Sequence, residues 1–344
     1  MTAMLGFDAL DGAIGMSGAI DLLERTIAHE EAGRTSVSPK FVTEFENGVM
    51  RVLFAADAEA GYCAMKAYHN VKNVGTRYVV MLYDMNDGEL LAILDGRLIT
   101  DLRTGAASGV IARKVDIRGR IAVGILGSGN QARTQLEALA AVYPFERAEV
   151  YSPTAVNRER YAREMSRKLG LTVVAVDTAE AAVRGKQVVA TASNARTSEP
   201  ILRREWLDNC RLLCAVGNTR AKFAEIGADT FGRAAFTVVD SRHAFSEAGD
   251  LIAAAKADAL SHSKRAILGE VLTGRCVLPQ EGLIIFKSVG MALQDLALAA
   301  RYYELLGSRK DLASPSNVAS LRDRDRRSGT VESRGSAVQA APLP

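Results

Sequence analysis

Cysteine is scarce in this sequence, with Cys63, Cys210, Cys214 and Cys276 the only four in 344 residues. None forms a C-x-x-C pair and the four histidines are scattered, so there is neither a disulfide framework nor a metal-ligand pattern, and no metal is expected. Cys210 and Cys214 flank an apolar, strand-like run, where a thiol behaves as a small hydrophobe. Long apolar runs are missing too. No stretch reaches the roughly 18 to 20 residues that span a bilayer, and the amino terminus lacks a basic segment followed by an apolar run and a cleavage site. The chain reads as cytoplasmic, with no membrane partner. Nor is there an excess of one charge: 43 Lys/Arg face 40 Asp/Glu. Residues 307–344 hold seven basic and four acidic residues, so 43 less seven and 40 less four leave 36 of each elsewhere. A neutral body offers no electrostatic footprint for nucleic acid.

What is present is an ordinary globular composition, 48% hydrophobic and 24% charged, over a length that suits about two domains. The last 38 residues have no aromatic, three of the eight prolines and the charge-alternating run Arg322–Arg327. That composition predicts a disordered tail over 307–344. Upstream, the apolar run Ile121–Leu126 ends in glycines, and Ala132, Leu136, Leu139 and Ala140 follow on one helical face. Strand-like segments recur at Ala148–Ser152, Thr172–Val176, Gln187–Ala192, Arg211–Val216 and Phe236–Asp240, alternating with helical stretches such as Arg158–Leu169. Strands alternating with helices imply an α/β fold, a Rossmann-type doubly wound parallel sheet over 119–290. Residues 1–118 read as α+β. An opening helix near Gly18–Ala32 precedes Arg77–Asp84 and Leu90–Leu94, which are separated by the hairpin signal Asn86-Asp87-Gly88. Val289–Leu306 has helical periodicity with no strand after it, so it can pack back on the N-terminal part. The second domain is then 1–118 plus 291–306.

Gly127-Ser128-Gly129-Asn130-Gln131-Ala132 has the form G-x-G-x-x-A between a predicted strand and a predicted helix. The first glycine allows the tight turn, the second lets backbone approach a pyrophosphate, and Ala132 permits close packing of a helix whose N-terminus favours the anion. Dinucleotide binding follows. At the end of the next strand, NAD-preferring sites carry Asp or Glu for the ribose 2′-hydroxyl, whereas this chain has Ser152-Pro153-Thr154, with Arg158 shortly after. Two hydroxyls and a guanidinium suit a 2′-phosphate, so NADP(H) is favoured and NAD(H) stays open. Ser193 and Asn194 follow another strand at the sheet edge where a cofactor crosses.

Several separated blocks in order, CAMKAYHN, LITDLRTGAAS, GILGSGNQA, CAVGN, EAGDL and FKSVGMALQDLA, resemble the ornithine cyclodeaminase and mu-crystallin family over about residues 35–305. The resemblance implies a Rossmann domain, a second domain built from both chain ends that dimerises through its sheet, and nicotinamide chemistry on a small α-imino or α-amino acid. It places Val216, Gly217 and Asn218 with the cofactor, and Ser288 and Val289 beside the nicotinamide, although Ser288 is also a good helix N-cap. Family members often carry a basic residue just after a proline, for which Lys40 is the nearest match.

The residue types suit this chemistry. A substrate carboxylate needs a fixed cation, and an imine carbon accepts hydride more readily when its nitrogen is protonated. Arg103, expected in a threonine-flanked turn, offers a bidentate fork. Lys66 follows the small apolar stretch Gly61–Met65, and a partly desolvated lysine there can bind the carboxyl or transfer a proton. Thr219 can hold water as an alternative proton source. Glu247 and Asp250 read as structural, and His69 as a core or surface histidine.

In the cyclodeaminase branch an aspartate follows the glycine-rich CAVG loop, whereas this chain has Asn218-Thr219. The expected activity is therefore an NAD(P)H-dependent reductase or dehydrogenase acting on a ketimine, either Δ1-pyrroline-2-carboxylate or a 2-oxo acid plus amine, to give an L-amino acid. Cyclodeamination of L-ornithine to L-proline and ammonia is one alternative. An NADPH-dependent small-ligand-binding protein of the mu-crystallin kind is another, opposed by the presence of Lys66 and Arg103.

Overall fold

Three ten-residue strands, β4 (Gly48–Asp57), β5 (Tyr62–Val71) and β6 (Gly75–Asp84), form the antiparallel centre of the first sheet in the computed structural model, which describes residues 2–197, 199–260 and 264–307. The predicted tail lies, beyond Gly307, outside the described residues. Around this centre stand β1 (Ala3–Leu5), β2 (Thr35–Val37), β3 (Phe41–Phe45) and β7 (Leu90–Asp95), in the order β1-β7-β6-β5-β4-β2, with β3 also paired to β4. Successive side chains point to opposite faces. Lys66 and Tyr68 therefore share one face of β5, opposite Leu53 and Arg51 of β4 and Val80 and Tyr78 of β6. The helices Met16–Glu31, Gly96–Ala112 and Ala292–Leu306 pack against this sheet.

The second sheet is entirely parallel. Its strands β8 (Val123–Leu126), β9 (Arg147–Tyr151), β10 (Thr172–Ala175), β11 (Val188–Thr191), β12 (Leu212–Ala215), β13 (Phe236–Val239), β14 (Arg265–Ile267) and β15 (Ile284–Lys287) run in the order β10-β9-β8-β11-β12-β15-β13-β14. Val188 and Ala190 enter one apolar cluster and Val189 the other, so both faces are covered, as parallel sheets require. The chain winds one way from β8 to β9 and β10 and the other way from β11 to β12. The Rossmann-type doubly wound reading thus holds, and the crevice where strand order reverses lies between β8 and β11. No helix among the described residues is long and apolar enough to cross a membrane.

Two local expectations are corrected. Arg103 lies within the helix Gly96–Ala112, not in a turn. Thr100 and Thr104, which suggested the turn, donate their hydroxyls to Gly96 O (2.6 Å) and Thr100 O (2.8 Å) one turn back, satisfying themselves inside a helix. Asp95 caps it, accepting from Arg97 N. The last helix begins at Ala292 with Met291 as its N-cap, so Ser288 does not cap it. Ser288 Oγ instead donates to Asp240 Oδ2 at 2.6 Å.

Candidate active site

The turn after β8 is built for an anion. Gly127 has φ 121°, and a methyl group there would overlap the carbonyl of Ala192, so the turn closes only with glycine. Gly129 is the N-cap of the helix Asn130–Val142 without a side-chain cap, which leaves first-turn N–H groups without helical partners. A Cβ at Gly129 would meet nothing within 4 Å. Open space thus stands before bare amides at a helix N-terminus, which fits a dinucleotide pyrophosphate.

Two cavities flank this loop. One of about 420 Å³ is lined by Gly127, Ser128, Ser152, Pro153, Thr154 and Asn194 among others. Its Ser128 and Ser152 hydroxyls are 2.9 Å apart. Arg158 stands by the same turn, donating to Ser152 O at 3.2 Å, and is ion-paired with the exposed Asp177 at 2.6 Å. The other is a cleft of about 540 Å³ between the two sheets, lined by Gly129, Asn130, Gln131, Ser193, Gly217 and Asn218 among others. The Asn218 side chain is spent on its own loop: Nδ2 donates to Phe223 O and Oδ1 accepts from Arg220 N. Its backbone is tied down as well: N donates to Glu225 Oε2 at 3.1 Å and O accepts from Lys287 Nζ at 2.6 Å.

Next to the cleft is a cavity of about 190 Å³. Lys40, Lys66, Arg103, Val216, Thr219 and Val289 line it, so elements from both sheets meet here. Lys66 is buried, and Nζ donates to Asp295 Oδ1 and Thr100 Oγ1, both at 2.6 Å. Burial pushes its pKa down to about 8, against the opposing pull of Asp295, with Arg103 adding to the depression. Arg103 Nε lies 3.4 Å from the same Asp295 oxygen, within charge attraction but without a hydrogen bond. One further donor of Arg103 reaches Gln294 Oε1 at 3.3 Å. Gly290, at φ 75°, lies so close that a methyl group there would strike the guanidinium. Lys40 Nζ donates to Glu247 and to Val289 O, so Glu247, expected to be structural, anchors a cation at the cavity wall. His69 points to the opposite face of β5, against Phe45.

Several residues at the site were not legible in advance. Asp295 is the main one, together with Gln294, Thr100, Tyr68 and Tyr78. The signal for the first two was the polar pair Gln294-Asp295 standing just before the apolar run Leu296–Ala300 of the last helix. Asp101 also lines the cleft and accepts from Asn130 Nδ2 (3.1 Å) and Gln131 Nε2 (2.7 Å). Its pKa is raised by burial to about 6.

The family model for the ornithine cyclodeaminase/mu-crystallin family matches residues 2–310. The chain belongs to this family. Ketimine reductase mu-crystallin of Mus musculus is 33% identical over 232 residues, 67% of this chain and 70% of the mouse protein. Delta(1)-pyrroline-2-carboxylate reductase of Bacillus cereus is 32% identical over 66% of this chain and 70% of its own length. The structure of Thermococcus litoralis Delta(1)-pyrroline-2-carboxylate reductase in complex with NADH and L-proline superposes with a TM-score of 0.83 at 28% identity, covering 88% of this chain and 97% of that one. In this family member the loop after β12 carries no acid at Asn218-Thr219, and the carboxylate that does line the 190 Å³ cavity, Asp295, is committed to Lys66.

Proposed function

We propose that the chain is a nicotinamide-dependent reductase that converts a small α-imino acid to an L-amino acid. The observation that carries this reading is the convergence of Lys66 and Arg103 on a buried cavity that opens beside the glycine-rich loop of the parallel sheet. Two cations sharing one carboxylate leave a net positive charge, which an incoming substrate carboxylate neutralises. Gly127, Ser128, Gly129, Asn130 and Gln131 hold the dinucleotide phosphates, and Ser193, Val216, Gly217, Asn218, Ser288 and Val289 frame the reactive ring. Bound there, the reduced cofactor supplies the two electrons and the hydrogen that the imine carbon takes up. Arg103 holds the carboxylate, Lys40 adds charge at the wall, and Lys66, depressed to about 8, has the acidity to give a proton to the developing amine. Thr219 is the alternative donor through water.

NADP(H) is the preferred cofactor in this reading, NAD(H) a usable one. Its support is the Ser152, Thr154 and Arg158 set without a carboxylate at the end of β9; a 2′-phosphate would replace Asp177 on Arg158. The two sheets are the cores of the two domains, 119–290 and 1–118 plus 291–306, and two copies associate as a homodimer.

The deciding assay follows reduced-cofactor consumption with Δ1-pyrroline-2-carboxylate and with 2-oxo acids plus amines, run beside L-ornithine with NAD⁺. Imine reduction with NADPH preferred, and a lowered preference in Arg158→Met, is the expected result. Saturable NADPH binding with no turnover on any imine would overturn the enzyme reading, and proline plus ammonia from ornithine would replace it with cyclodeamination.

A further inference from the structure

Beside the catalytic cavity lies a groove of about 460 Å³ that shares Lys40 and Thr219 with it and is lined further on by Arg51 and Arg220. Arg51 is two residues from Leu53 on the same face of β4, so its side chain emerges along the wall that carries Lys66. Both stand by the Tyr68 ring: the Arg51 guanidinium and Lys66 Nζ are each 5.7 Å from its centroid. Arg220 enters from the other sheet, one residue after Thr219.

No carboxylate lies within ion-pair distance of either guanidinium among the described residues. Two carboxylates line the same groove, Glu44 without an ion pair and Glu247 held by Lys40. The charged groups facing Arg220 are Arg51 and Arg196, with the Tyr68 and Tyr78 phenols beside them, and burial together with the two arginines pushes its pKa down. Lys40, by contrast, has Glu247, and Arg103 has Asp295. Two half-buried like charges facing each other, neither of them ion-paired, disfavour the empty groove and favour a bound anion.

We propose that Arg51 and Arg220 form a second anion subsite that selects imino acids carrying a side-chain carboxylate. This rests on the reductase reading above. The α-carboxylate sits at Lys66 and Arg103, the C=N carbon lies between the two subsites, and the side-chain carboxylate reaches past Thr219 to the guanidinium pair, which suits the imine of a short 2-oxo dicarboxylic acid. The redox balance is unchanged: two electrons and one hydrogen would come to carbon from the bound reduced dinucleotide, and one proton would go to nitrogen.

The test compares kcat/KM for oxaloacetate and 2-oxoglutarate, each with ammonium, against pyruvate with ammonium and Δ1-pyrroline-2-carboxylate. It is run in the wild type, Arg51→Met and Arg220→Met, with the KM for the dinucleotide measured in each. The expected result is a wild-type preference for a dicarboxylic substrate, and a dicarboxylic-to-monocarboxylic ratio that falls about 10- to 100-fold in either variant, chiefly through KM. Succinate should inhibit the wild type more strongly than butyrate. Reduction of the monocarboxylic imines with no dicarboxylic preference overturns the subsite and leaves the reductase standing, whereas no reduction of any imine overturns both. A raised dinucleotide KM with an unchanged substrate ratio overturns the subsite by assigning the pair to the cofactor phosphates.

Discussion

Lys66 and Asp295 illustrate how much one buried contact decides. Each is about 3% exposed, so neither charge is tolerable without the other. Desolvation brings the Lys66 ammonium to about 8 even with its partner present. Binding a carboxylate and giving up a proton both need the ammonium form, so kcat/KM for imine reduction should fall as the pH rises through about 8. A profile that stays level to pH 10, or a wild-type limb that persists in Lys66→Met, would remove the assignment. Asp295→Asn takes away the contact that raises the lysine's pKa and leaves the cation buried with only Thr100 and dipoles. The limb should then move to lower pH, and stability should drop by about 3–5 kcal/mol, read as a lowered midpoint in thermal unfolding. An unchanged limb with unchanged unfolding would mean that Arg103 and Thr100 alone define the lysine's environment.

Among elements, the ends of β11 and β12 are held by a side chain with no catalytic part in this reading. Glu225 is fully buried and accepts from Ser193 N (2.9 Å), Ser193 Oγ (2.5 Å), Thr191 Oγ1 (3.2 Å), Gly217 N (2.9 Å) and Asn218 N (3.1 Å). Asp250, paired with Lys287 at 2.5 Å, grips the backbone N–H of Glu225 from behind. In Glu225→Gln an NH₂ group would face some of these donors, costing about 1–3 kcal/mol and loosening the loops at the carboxyl edge. A lowered unfolding midpoint together with weaker dinucleotide binding in a fluorescence titration is expected; unchanged binding would mean that the loops do not depend on this tie. Nothing in the local sequence marked Glu225, because its donors come from other loops. The strand, turn and helix around Gly127 were legible because periodicity and turn chemistry are local. Arg103 lies in a helix and not in the expected turn because flanking threonines look like turn residues until their hydroxyls find carbonyls one turn back. β15 went unread as a strand, and its place between β12 and β13 is set by long-range packing that no window of sequence contains.

For the whole molecule, the outer face of the first sheet matters most. Phe41, Phe45, Met50 and Phe54 are each more than 40% exposed, and the pairing of Phe41 with Val52 puts β3 and β4 in register so that all four share the face opposite Lys66. Apolar groups clustered there on an edge strand exposed along its length are a liability in a monomer and a natural seam for a second copy. The wild type should sediment at about twice 36.8 kDa, and Met50→Glu/Phe54→Glu should sediment as a single chain. The same strands present Leu53 and Lys66 to the cavity on their other face, so a partner sheet pressed against β4 and β5 would stiffen the wall that carries Lys66. The monomeric variant should therefore lose kcat/KM for the imine more than affinity for the dinucleotide, whose contacts lie on the parallel sheet. A wild type that sediments as a single chain at micromolar concentration would refute the seam, and a monomeric variant with full activity would separate the seam from the cavity wall.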